Sequence, residues 1–346
     1  MIETLVTGAT GFVGPHLVAE LLARGYRVRA LALPTEDTTQ IEQEHVTIYR
    51  GDVRKPETLI APFRGVDTVF NLAAAHGLWR AKQEYYDVNV AGAENVCRVA
   101  LAAGVRRLVH ISSWSVYGMG LNGPVREDFP LKPVLDIYAI SKADGDRIVQ
   151  RYIAEDGLPA AIIRPGTMFG PGDRVNFGRM ADRLRAGKAI IIGSGRNALP
   201  FVYVSDAVQG MMLAGFEGAA VGQAYNISND HPLTQEQMWH ALADEIGAPP
   251  PRLRVPYHAL YALAFAAELA VRSDHPKRQP LVTRLGVKMF GADNRHVIDK
   301  ARRELGYVPR VSVRDGVRMA ANWYLHRQGS PTKTETKAAA PVGEVA

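Results

Sequence analysis

A glycine-rich turn near the N-terminus constrains the fold of this chain more than any other feature. The apolar run Glu3–Thr7 predicts a strand, Phe12–Ala23 has helical spacing, and glycines 8, 11 and 14 stand between or at the edge of them. Gly8 permits a tight turn, Gly11 lets the backbone approach a pyrophosphate, and Gly14 lets the helix pack against the strand. Because a helix N-terminus also offers unpaired N–H groups, this GxxGxxG spacing predicts a dinucleotide site.

The first half of the chain repeats strand and helix patterns. Further strands are predicted over Arg27–Leu33, Val46–Arg50, Thr68–Leu72, Arg107–Ser112 and Ala160–Arg164. Helices are predicted over Asn89–Ala103 and from about Tyr138 to Ala154. Repeated strand–helix–strand units require a parallel sheet covered on both faces. The expected fold class is therefore α/β, a Rossmann-like doubly wound parallel sheet.

Beyond residue 173 this alternation gives way to shorter elements with Gly- and Pro-rich connections. We predict a dinucleotide-binding domain over residues 1–173 and a smaller α/β substrate-binding region over residues 174–328, from which the sheet can regain a strand. Residues 329–346 contain no aromatic residue, leucine or isoleucine and are rich in Thr, Lys, Ala and Pro. This tail is expected to be disordered, because it has too little apolar surface to bury.

Composition excludes several classes of protein. Lys and Arg number 41 against 35 Asp and Glu, a formal net charge of +6, but both signs are interspersed and no basic run indicates a nucleic-acid partner. The one cysteine, Cys97, cannot form an internal disulfide, and the histidines lack the spacing of a metal site. The apolar stretch Ala259–Ala267 is too short to span a bilayer and no cleavable leader is seen, so a cytoplasmic location is expected.

The end of the second predicted strand leaves the choice of cofactor open. A carboxylate there would bind the adenosine ribose hydroxyls, whereas an arginine would accept a 2′-phosphate. The strand ends at Leu33 with neither residue, and Glu36 and Asp37 follow in a segment that could be no more than a solvated loop. NAD and NADP are both compatible with this pattern.

Further positions suit a bound dinucleotide. Asp52 follows the third predicted strand, where it could hydrogen-bond adenine or simply cap a turn. The residues Leu72, Ala73 and Ala74 follow the fourth strand and leave room for a cofactor to pass closely. Asn89 suits either a helix cap or an active-site role.

Two groups of polar residues are typical of acid–base chemistry. Tyr138 and Lys142 lie at i, i+4 on one predicted helical face. A neighbouring ammonium lowers the pKa of a phenol from its usual value of ~10. Ser112 and Ser113 follow the fifth strand, at the sheet edge where a cofactor crevice opens. A serine hydroxyl there can hydrogen-bond a carbonyl oxygen as a hydride arrives.

These motifs, taken in order, resemble those of the extended short-chain dehydrogenase/reductases. The motifs are TGATGFVG at 7–14, GDV at 51–53, NLAAA at 71–75, SSWSVYG at 112–118, YAISK at 138–142 and RPGTMFGPGD at 164–173, and only the tail falls outside the resemblance. The resemblance implies a catalytic set of Ser113, Tyr138 and Lys142. The predicted cofactor-binding residues are Gly8, Thr10, Gly11, Phe12, Val13, Gly14, Asp52, Val53, Leu72, Ala73, Ala74, Asn89, Tyr138, Lys142 and Pro165.

Departures from the family pattern point to one branch of it. Nucleotide-sugar dehydratases carry acidic residues where this chain has Trp114 and Ser115, and sugar epimerases usually carry an asparagine where it has Thr167. The segments FVYVSDAV at 201–208 and ARRELGYVP at 301–309 are more similar to the 3β-hydroxysteroid dehydrogenase and dihydroflavonol reductase branches. The resemblance therefore favours an apolar substrate over a nucleotide-sugar.

The apolar content of the C-terminal region agrees with such a substrate. The segment Tyr257–Val271 is apolar on nearly all helical faces, so it is a core helix, a cover over the substrate or a contact with a membrane surface. Met168, Phe169, Phe177 and Met180 would add to an apolar pocket.

The expected function is hydride transfer between NAD or NADP and a secondary alcohol or ketone on a hydrophobic small molecule, sterol-like or a long-chain 3-oxo or 3-hydroxy compound. An NAD-dependent nucleotide-sugar epimerase is the alternative, and a non-catalytic nucleotide-sensing regulator is the least favoured. A homodimer is a further expectation, because family members often pair through helices of the sheet domain.

Overall fold

The computed structural model of the protein describes residues 2–77, 80–121, 123–133, 136–270 and 282–328. Its strands are β1 (Glu3–Thr7), β2 (Arg27–Ala32), β3 (Val46–Arg50), β4 (Thr68–Asn71), β5 (Arg107–Ile111), β6 (Ala160–Pro165), β7 (Thr167–Phe169), β8 (Ile191–Ile192), β9 (Phe201–Tyr203), β10 (Ala224–Ile227) and β11 (Arg254–Val255). Its helices are α1 (Gly14–Ala23), α2 (Ile60–Phe63), α3 (Lys82–Tyr86), α4 (Gly92–Ala103), α5 (Ile137–Asp156), α6 (Phe177–Arg185), α7 (Val204–Phe216), α8 (Gln235–Ile246), α9 (Tyr257–Ala270), α10 (Arg284–Gly291), α11 (Asp299–Leu305) and α12 (Val313–Gln328). The predicted tail, residues 329–346, lies outside the described residues.

The centre of the fold is a parallel sheet of seven strands in the order β3-β2-β1-β4-β5-β6-β10. Strands β5 and β6 are buried along their whole length, as expected for central strands of a sheet covered on both faces. The order reverses direction between β1 and β4, which opens a crevice at the carboxyl ends of the strands. The predicted α/β, doubly wound fold class is confirmed.

Helices cover both faces of the sheet. On one face α1, α7 and α11 bury an apolar layer that includes Leu17, Val18, Ala207, Met211 and Ala301. On the other face α2, α4 and α5 contribute Phe63, Val96, Cys97, Ala100 and Val149. Each layer removes apolar area from water at roughly 25 cal/mol per Å², and this burial holds the helices against the sheet.

The C-terminal half of the chain is divided between the sheet and a second core. Strand β10 is part of the seven-stranded sheet and helix α7 packs on it, although both lie within the predicted substrate-binding region of residues 174–328. Helices α6, α8 and α12 pack around the two-stranded sheet β7–β9, and α9 and α10 pack on β8. The sheet thus recovers two helices, α7 and α11, as well as a strand from beyond residue 173, so the chain crosses between the two parts more than once.

Three local predictions are wrong. Helix α1 begins at Gly14 rather than Phe12, because Gly8, Thr10 and Gly11 form a non-helical turn before it. The helix expected to begin at Asn89 is preceded by α3 and by a π-helical turn over Asp87–Ala91. Asn89 does not cap it, because its carboxamide bonds elsewhere.

Phe169 and Phe177, expected in the substrate pocket, are instead fully buried in the second core. They stack on each other with ring centroids 6.1 Å apart.

Two glycines of the first turn are required by the packing. Gly8 has φ +63°, and a Cβ there would lie 2.9 Å from the backbone nitrogen of Ala73. A Cβ at Gly14 would lie 2.2 Å from the carbonyl oxygen of Ala9. Because both obstacles are backbone atoms, a side chain at Gly8 would push the turn away from the segment after β4, and one at Gly14 would push the start of α1 away from the turn.

Candidate active site

A cavity of about 1490 Å³ lies at the carboxyl ends of the sheet strands and extends beneath α6, α9 and α10. Residues that directly follow β1, β4, β5 and β6 line it, among them Gly8, Leu72, Ser112 and Gly166. This is the crevice in which open α/β sheets bind their ligands.

Most of the predicted cofactor-binding residues line this cavity. They are Gly8, Thr10, Gly11, Phe12, Val13, Gly14, Leu72, Ala74, Tyr138, Lys142 and Pro165. The turn and the start of α1 fit a dinucleotide, because a Cβ at Gly11 would meet only the Gly8 carbonyl within 4 Å, and the backbone is otherwise bare where the helix N-terminus faces the cavity.

Four predicted cofactor residues do not line the cavity. They are Asp52, Val53, Ala73 and Asn89. The Asp52 carboxylate is engaged by the Arg54 guanidinium, with Nε–Oδ2 at 2.9 Å, and this pairing holds the pKa of Asp52 below its usual value. The Asn89 carboxamide binds the backbone of Ala75 and the hydroxyl of Ser141 at 2.9 Å, so it ties the segment after β4 to α5.

Glu36 stands at the adenosine end of the cavity. Its Oε2 accepts hydrogen bonds from the Thr10 hydroxyl at 2.6 Å and from the Leu33 backbone N–H at 2.9 Å. The Arg50 guanidinium does not line the cavity and instead donates to the Leu33 and Glu36 carbonyls at 3.0 and 2.8 Å. The loop after β2 thereby presents the Glu36 carboxylate beside the glycine turn. Glu36 lies three residues after Leu33, the end of the predicted strand, where the sequence pattern would place a ribose-binding carboxylate.

The predicted catalytic residues Ser113, Tyr138 and Lys142 all line the same cavity. Asp136 begins α5 by accepting hydrogen bonds from the backbone N–H groups of Tyr138 and Ala139 at 3.3 and 3.1 Å. This cap fixes Tyr138 in the first turn of the helix, facing the end of β5, where Ser113 lies.

The protonation of Tyr138 is set by its surroundings in the cavity. Desolvation raises the pKa of its phenol, and the nearby Ser113 hydroxyl opposes this shift by hydrogen bonding. Lys142 is buried and donates to the Ile111 carbonyl at 2.6 Å, and burial lowers the pKa of its ammonium to about 8. In the protein by itself, therefore, the Ser113 hydroxyl opposes the rise in the pKa of the Tyr138 phenol.

A buried ionic network braces this part of the site. The Arg164 guanidinium binds both carboxylate oxygens of Asp146 at 2.9 Å, and Asp146 also accepts the Ser112 hydroxyl at 2.6 Å. Burial alone would raise the pKa of Asp146, but Arg164 and Ser112 keep it below its ordinary value. Since Asp146 lies one turn after Lys142 and Ser112 precedes Ser113, the network holds α5 and the end of β5 in register.

Sequence reasoning missed His76, which the structure places beside Tyr138. The two rings meet edge to face with centroids 5.3 Å apart, and His76 lines the cavity. Desolvation lowers the pKa of His76 to about 4, and the charges of Lys142, Arg80 and, least, Arg179 add to this effect. His76 directly follows the small residues after β4, and that position was the one available signal.

Two departures from the nucleotide-sugar pattern meet in the structure. The Trp114 indole Nε1 donates to the Thr167 hydroxyl at 3.1 Å, and both residues line the cavity. Apolar side chains from α8, α9 and α10 form the wall beyond them, namely Trp239, Leu260, Leu285, Val287, Met289 and Phe290, with Met168 and Met180 nearby. The substrate side of the cavity is therefore largely apolar near the catalytic residues.

A sequence model of the NAD-dependent epimerase/dehydratase family matches residues 4–228. The chain belongs to this family. The cofactor turn, the sheet order and the residues at the end of β5 and the start of α5 all lie within the matched region. The protein is accordingly an NAD(P)-dependent oxidoreductase of the extended short-chain dehydrogenase/reductase type, and the predicted family and the predicted nicotinamide cofactor, NAD or NADP, are confirmed.

Relatives extend the match over nearly the whole chain. A 2-alkyl-3-oxoalkanoate reductase from Stenotrophomonas maltophilia is 31% identical, with 92% of this chain and 98% of that protein covered. A 3beta-hydroxysteroid-dehydrogenase/decarboxylase from Arabidopsis thaliana is also 31% identical, with 96% and 82% covered. The crystal structure of gox2253 superposes with a TM-score of 0.81 at 32% identity, covering 94% of this chain and 99% of that one.

Within the described residues, none of the helices combines the length and the apolar character needed to cross a bilayer.

Proposed function

We propose that the protein catalyses reversible hydride transfer between NAD and a secondary alcohol or ketone on a hydrophobic small molecule, sterol-like or a long-chain 3-oxo or 3-hydroxy compound. The observation that carries this proposal is that Ser113, Tyr138 and Lys142 face one cavity whose cofactor side is bare backbone and whose substrate side is largely apolar. The two relatives named above, a 3-oxoalkanoate reductase and a 3beta-hydroxysteroid dehydrogenase, support this substrate class.

The residues of the chain divide the work as follows. The turn at Gly8, Gly11 and the start of α1 holds the pyrophosphate, and NAD, when bound, supplies or accepts the hydride. Tyr138 exchanges a proton with the substrate oxygen, and Ser113 donates a hydrogen bond to that oxygen, so developing negative charge is stabilised. Lys142, held by the Ile111 carbonyl, keeps a positive charge beneath Tyr138 and is placed to hold a ribose hydroxyl.

The alternative, a nucleotide-sugar epimerase, uses the same three residues. The Trp114–Thr167 hydrogen bond argues against it, because Thr167 occupies the position where sugar epimerases usually carry an asparagine and its hydroxyl is engaged by the Trp114 indole. The apolar wall formed by α8, α9 and α10 is also poorly suited to sugar hydroxyl groups, which would lose water without gaining hydrogen bonds.

The experiment that tests the proposal follows the absorbance of reduced nicotinamide with NADH and, separately, NADPH. The panel comprises a 3-oxosteroid, a long-chain 3-oxo ester, a flavonoid ketone and UDP-glucose. We expect oxidation of NADH with an apolar ketone and none in Tyr138→Phe. Absence of turnover with every ketone, together with a cofactor that copurifies and a UDP-sugar that raises the melting temperature, would favour the epimerase.

We also propose NAD rather than NADP as the physiological cofactor. The Glu36 carboxylate, fixed by Thr10 and Leu33, suits a ribose 2′-hydroxyl and repels a 2′-phosphate. Arg50, whose guanidinium contacts the Glu36 backbone, is already engaged with the Leu33 and Glu36 carbonyls.

Contact with a membrane surface through 257–271 is a finer part of the proposal. In α9, Leu260 and Ala264 are buried, whereas Leu263 and Leu269 are 60% and 69% exposed, and residue 271 lies outside the described residues. Such a face suits shallow insertion at an interface. The double variant L263S/L269S is expected to sediment less with phosphatidylglycerol vesicles, with L253S, an exposed leucine outside α9, as control. Equal sedimentation of all three proteins would remove this part of the proposal.

The homodimer also stays a proposal, and light scattering coupled to size exclusion tests it directly.

A further inference from the structure

Charged side chains line the cavity at several places, and Glu36 and Asp37 lie at the glycine-turn end. Four cations on α6 and its flanking segments form a group that we name the cationic cluster: Arg174, Arg179, Arg183 and Lys188. The segment before Arg174 contacts His16 and Phe12 beside the glycine turn, whereas the residues after Lys188 pack with α9 and α10. Helix α6 therefore runs from the cofactor end toward the apolar wall, and Arg179, Arg183 and Lys188 face the part of the cavity left for the substrate.

All members of the cationic cluster but Arg183 lack a protein partner in the part of the chain that the structure describes. Among the residues that the structure describes, the side chains of Arg174, Arg179 and Lys188 take part in no hydrogen bond or ion pair. Exposed arginines elsewhere commonly pair with carboxylates, as Arg151 does with Glu94 at 2.8 Å. Three cations that face a cavity without partners leave a positive potential there that an anion would relieve.

Among the acidic residues that line the cavity, Asp173 is nearest in sequence to the cationic cluster, but its carboxylate is already hydrogen-bonded. Its carboxylate accepts hydrogen bonds from the backbone N–H groups of Val175, Asn176 and Phe177 at 3.1, 2.9 and 2.9 Å. These bonds fix the start of α6, and they direct Arg179 and Arg183, four residues apart, to the face of the helix that lines the cavity.

The cluster is coupled to the catalytic residues. The charge of Arg179 contributes to lowering the pKa of His76, whose ring packs edge to face on Tyr138. Apolar residues of the same cavity flank the cluster, including Ile190 and Ile192 just beyond Lys188. An anionic group and an apolar body can therefore be held at once, with the reacting carbon at Tyr138.

We propose that the cationic cluster is an anion subsite, and that the substrate is an amphipathic ketone or alcohol whose carboxylate or phosphate is bound by Arg179 and Arg183. Planar guanidinium groups bind such oxygens through paired, charge-assisted hydrogen bonds. This inference rests on the proposed function for the identity of the reacting group, but the binding of the anion does not depend on turnover.

The first test is therefore a binding measurement. Calorimetry titrates dodecanoate, dodecyl phosphate and uncharged 1-dodecanol into the NAD-saturated protein and into Arg179→Gln, Arg183→Gln and the double variant. We expect at least one anionic amphiphile to bind the wild-type protein more tightly than the alcohol, and the double variant to lose about 10- to 100-fold in affinity for it. The preferred anion identifies the source, carboxylate or phosphate.

Arg185→Gln is the matched control. Arg185 lies on the same helix but does not line the cavity, so its loss removes the same charge without touching the subsite. The affinity of the Arg185→Gln variant for the anionic amphiphiles should stay within about twofold of the wild-type affinity. Equal affinity for the alcohol and both anions, or an equal loss in Arg185→Gln and the double variant, overturns the proposal.

Kinetics separate this inference from the proposed function. With NADH and 3-oxododecanoate, or its CoA thioester if phosphate is preferred, Arg179→Gln is expected to raise KM about tenfold or more with little change in kcat. With the uncharged methyl ester, KM is expected to be unchanged by the substitution. If the acid, the thioester and the ester are turned over with equal KM, the proposed oxidoreductase activity is supported and the anion subsite is contradicted. Anion binding that depends on Arg179 and Arg183, without turnover, supports the subsite and contradicts the proposed reaction.

Discussion

The two ends of the cavity are built in different ways. The cofactor end is built mainly on one short segment, the turn from Gly8 to Gly14, in which packing forbids a side chain at Gly8 and at Gly14. The substrate end consists of side chains from α6, α8, α9 and α10, which are spread over residues 177–291 of the chain. A backbone cradle binds the one ligand part that the family shares, whereas side chains from distant segments can change without disturbing the sheet, so the substrate end can diverge.

The largest effect is expected where the two ends meet. Tyr138→Phe removes the proton donor and acceptor but keeps the ring that packs on His76. We expect kcat to fall by about 10²- to 10⁴-fold, with NADH affinity and melting temperature unchanged. Stopped-flow kinetics and cofactor fluorescence measure the two quantities separately. A variant with normal turnover would remove Tyr138 from the chemistry and leave Lys142 or His76 to supply the proton.

Substitutions at the two ends of the cavity should differ sharply in their effect on the free energy of unfolding. Asp146→Ala leaves the Arg164 guanidinium buried without its carboxylate, and removal of one partner of a buried ion pair costs about 3–5 kcal/mol of unfolding free energy. Arg179→Gln, at the exposed substrate end, should change it by less than about 0.5 kcal/mol. Urea denaturation compares them, and equal values would mean that the substrate end is as tightly integrated as the sheet.

A cofactor-switch variant tests whether one carboxylate governs the cofactor end. Glu36→Arg should lower the KM for NADPH and raise that for NADH, changing their ratio by about tenfold or more, which corresponds to 1.4 kcal/mol. The KM for the ketone should not change, because Glu36 lies at the adenosine end. Asp37→Asn is the control, since the Asp37 carboxylate accepts the Thr39 backbone N–H. An unchanged ratio in Glu36→Arg would assign the preference to another residue.

A further prediction concerns the pH dependence of stability through Lys142. Burial lowers the pKa of its ammonium to about 8, below the usual 10.5, so the unfolded chain binds more protons than the folded one between these pH values. The stability of the wild type relative to Lys142→Met should therefore increase as pH rises from 8 to 10.5, and be independent of pH below 8. Denaturation of the cofactor-free proteins at pH 7 and 9.5 measures this difference, and a flat difference would show that Lys142 is not desolvated.

The same contrast explains how much of the molecule could be predicted. The sheet and the Gly8–Gly14 turn follow from local patterns, since period, glycine spacing and strand composition are properties of neighbouring residues. The start of α1 and the surroundings of Asn89 could not be read this way, because turn geometry and contacts with Ala75 and Ser141 decide them.

The candidate site divides along the same line. Ser113, Tyr138 and Lys142 could be selected by motif, whereas the engagement of Asp52 by Arg54 depends on side-chain geometry. Burial of Phe169 and Phe177 depends on helices far along the chain, since α6, α8 and α12 enclose them. The approach of Arg179 to His76 likewise exists only once α6 packs over the cavity.

The central claim is hydride transfer to a carbonyl carbon in this cavity, and isotope transfer tests it most directly. The protein is incubated with a long-chain 3-oxo ester or a 3-oxosteroid and with NADH deuterated on one or the other face of C4. The alcohol product is then analysed by mass spectrometry. The account predicts deuterium on the carbinol carbon from one face only, and no labelled alcohol with Tyr138→Phe. Unlabelled alcohol from both deuterated cofactors, or none from any ketone while bound NAD is retained, would contradict it.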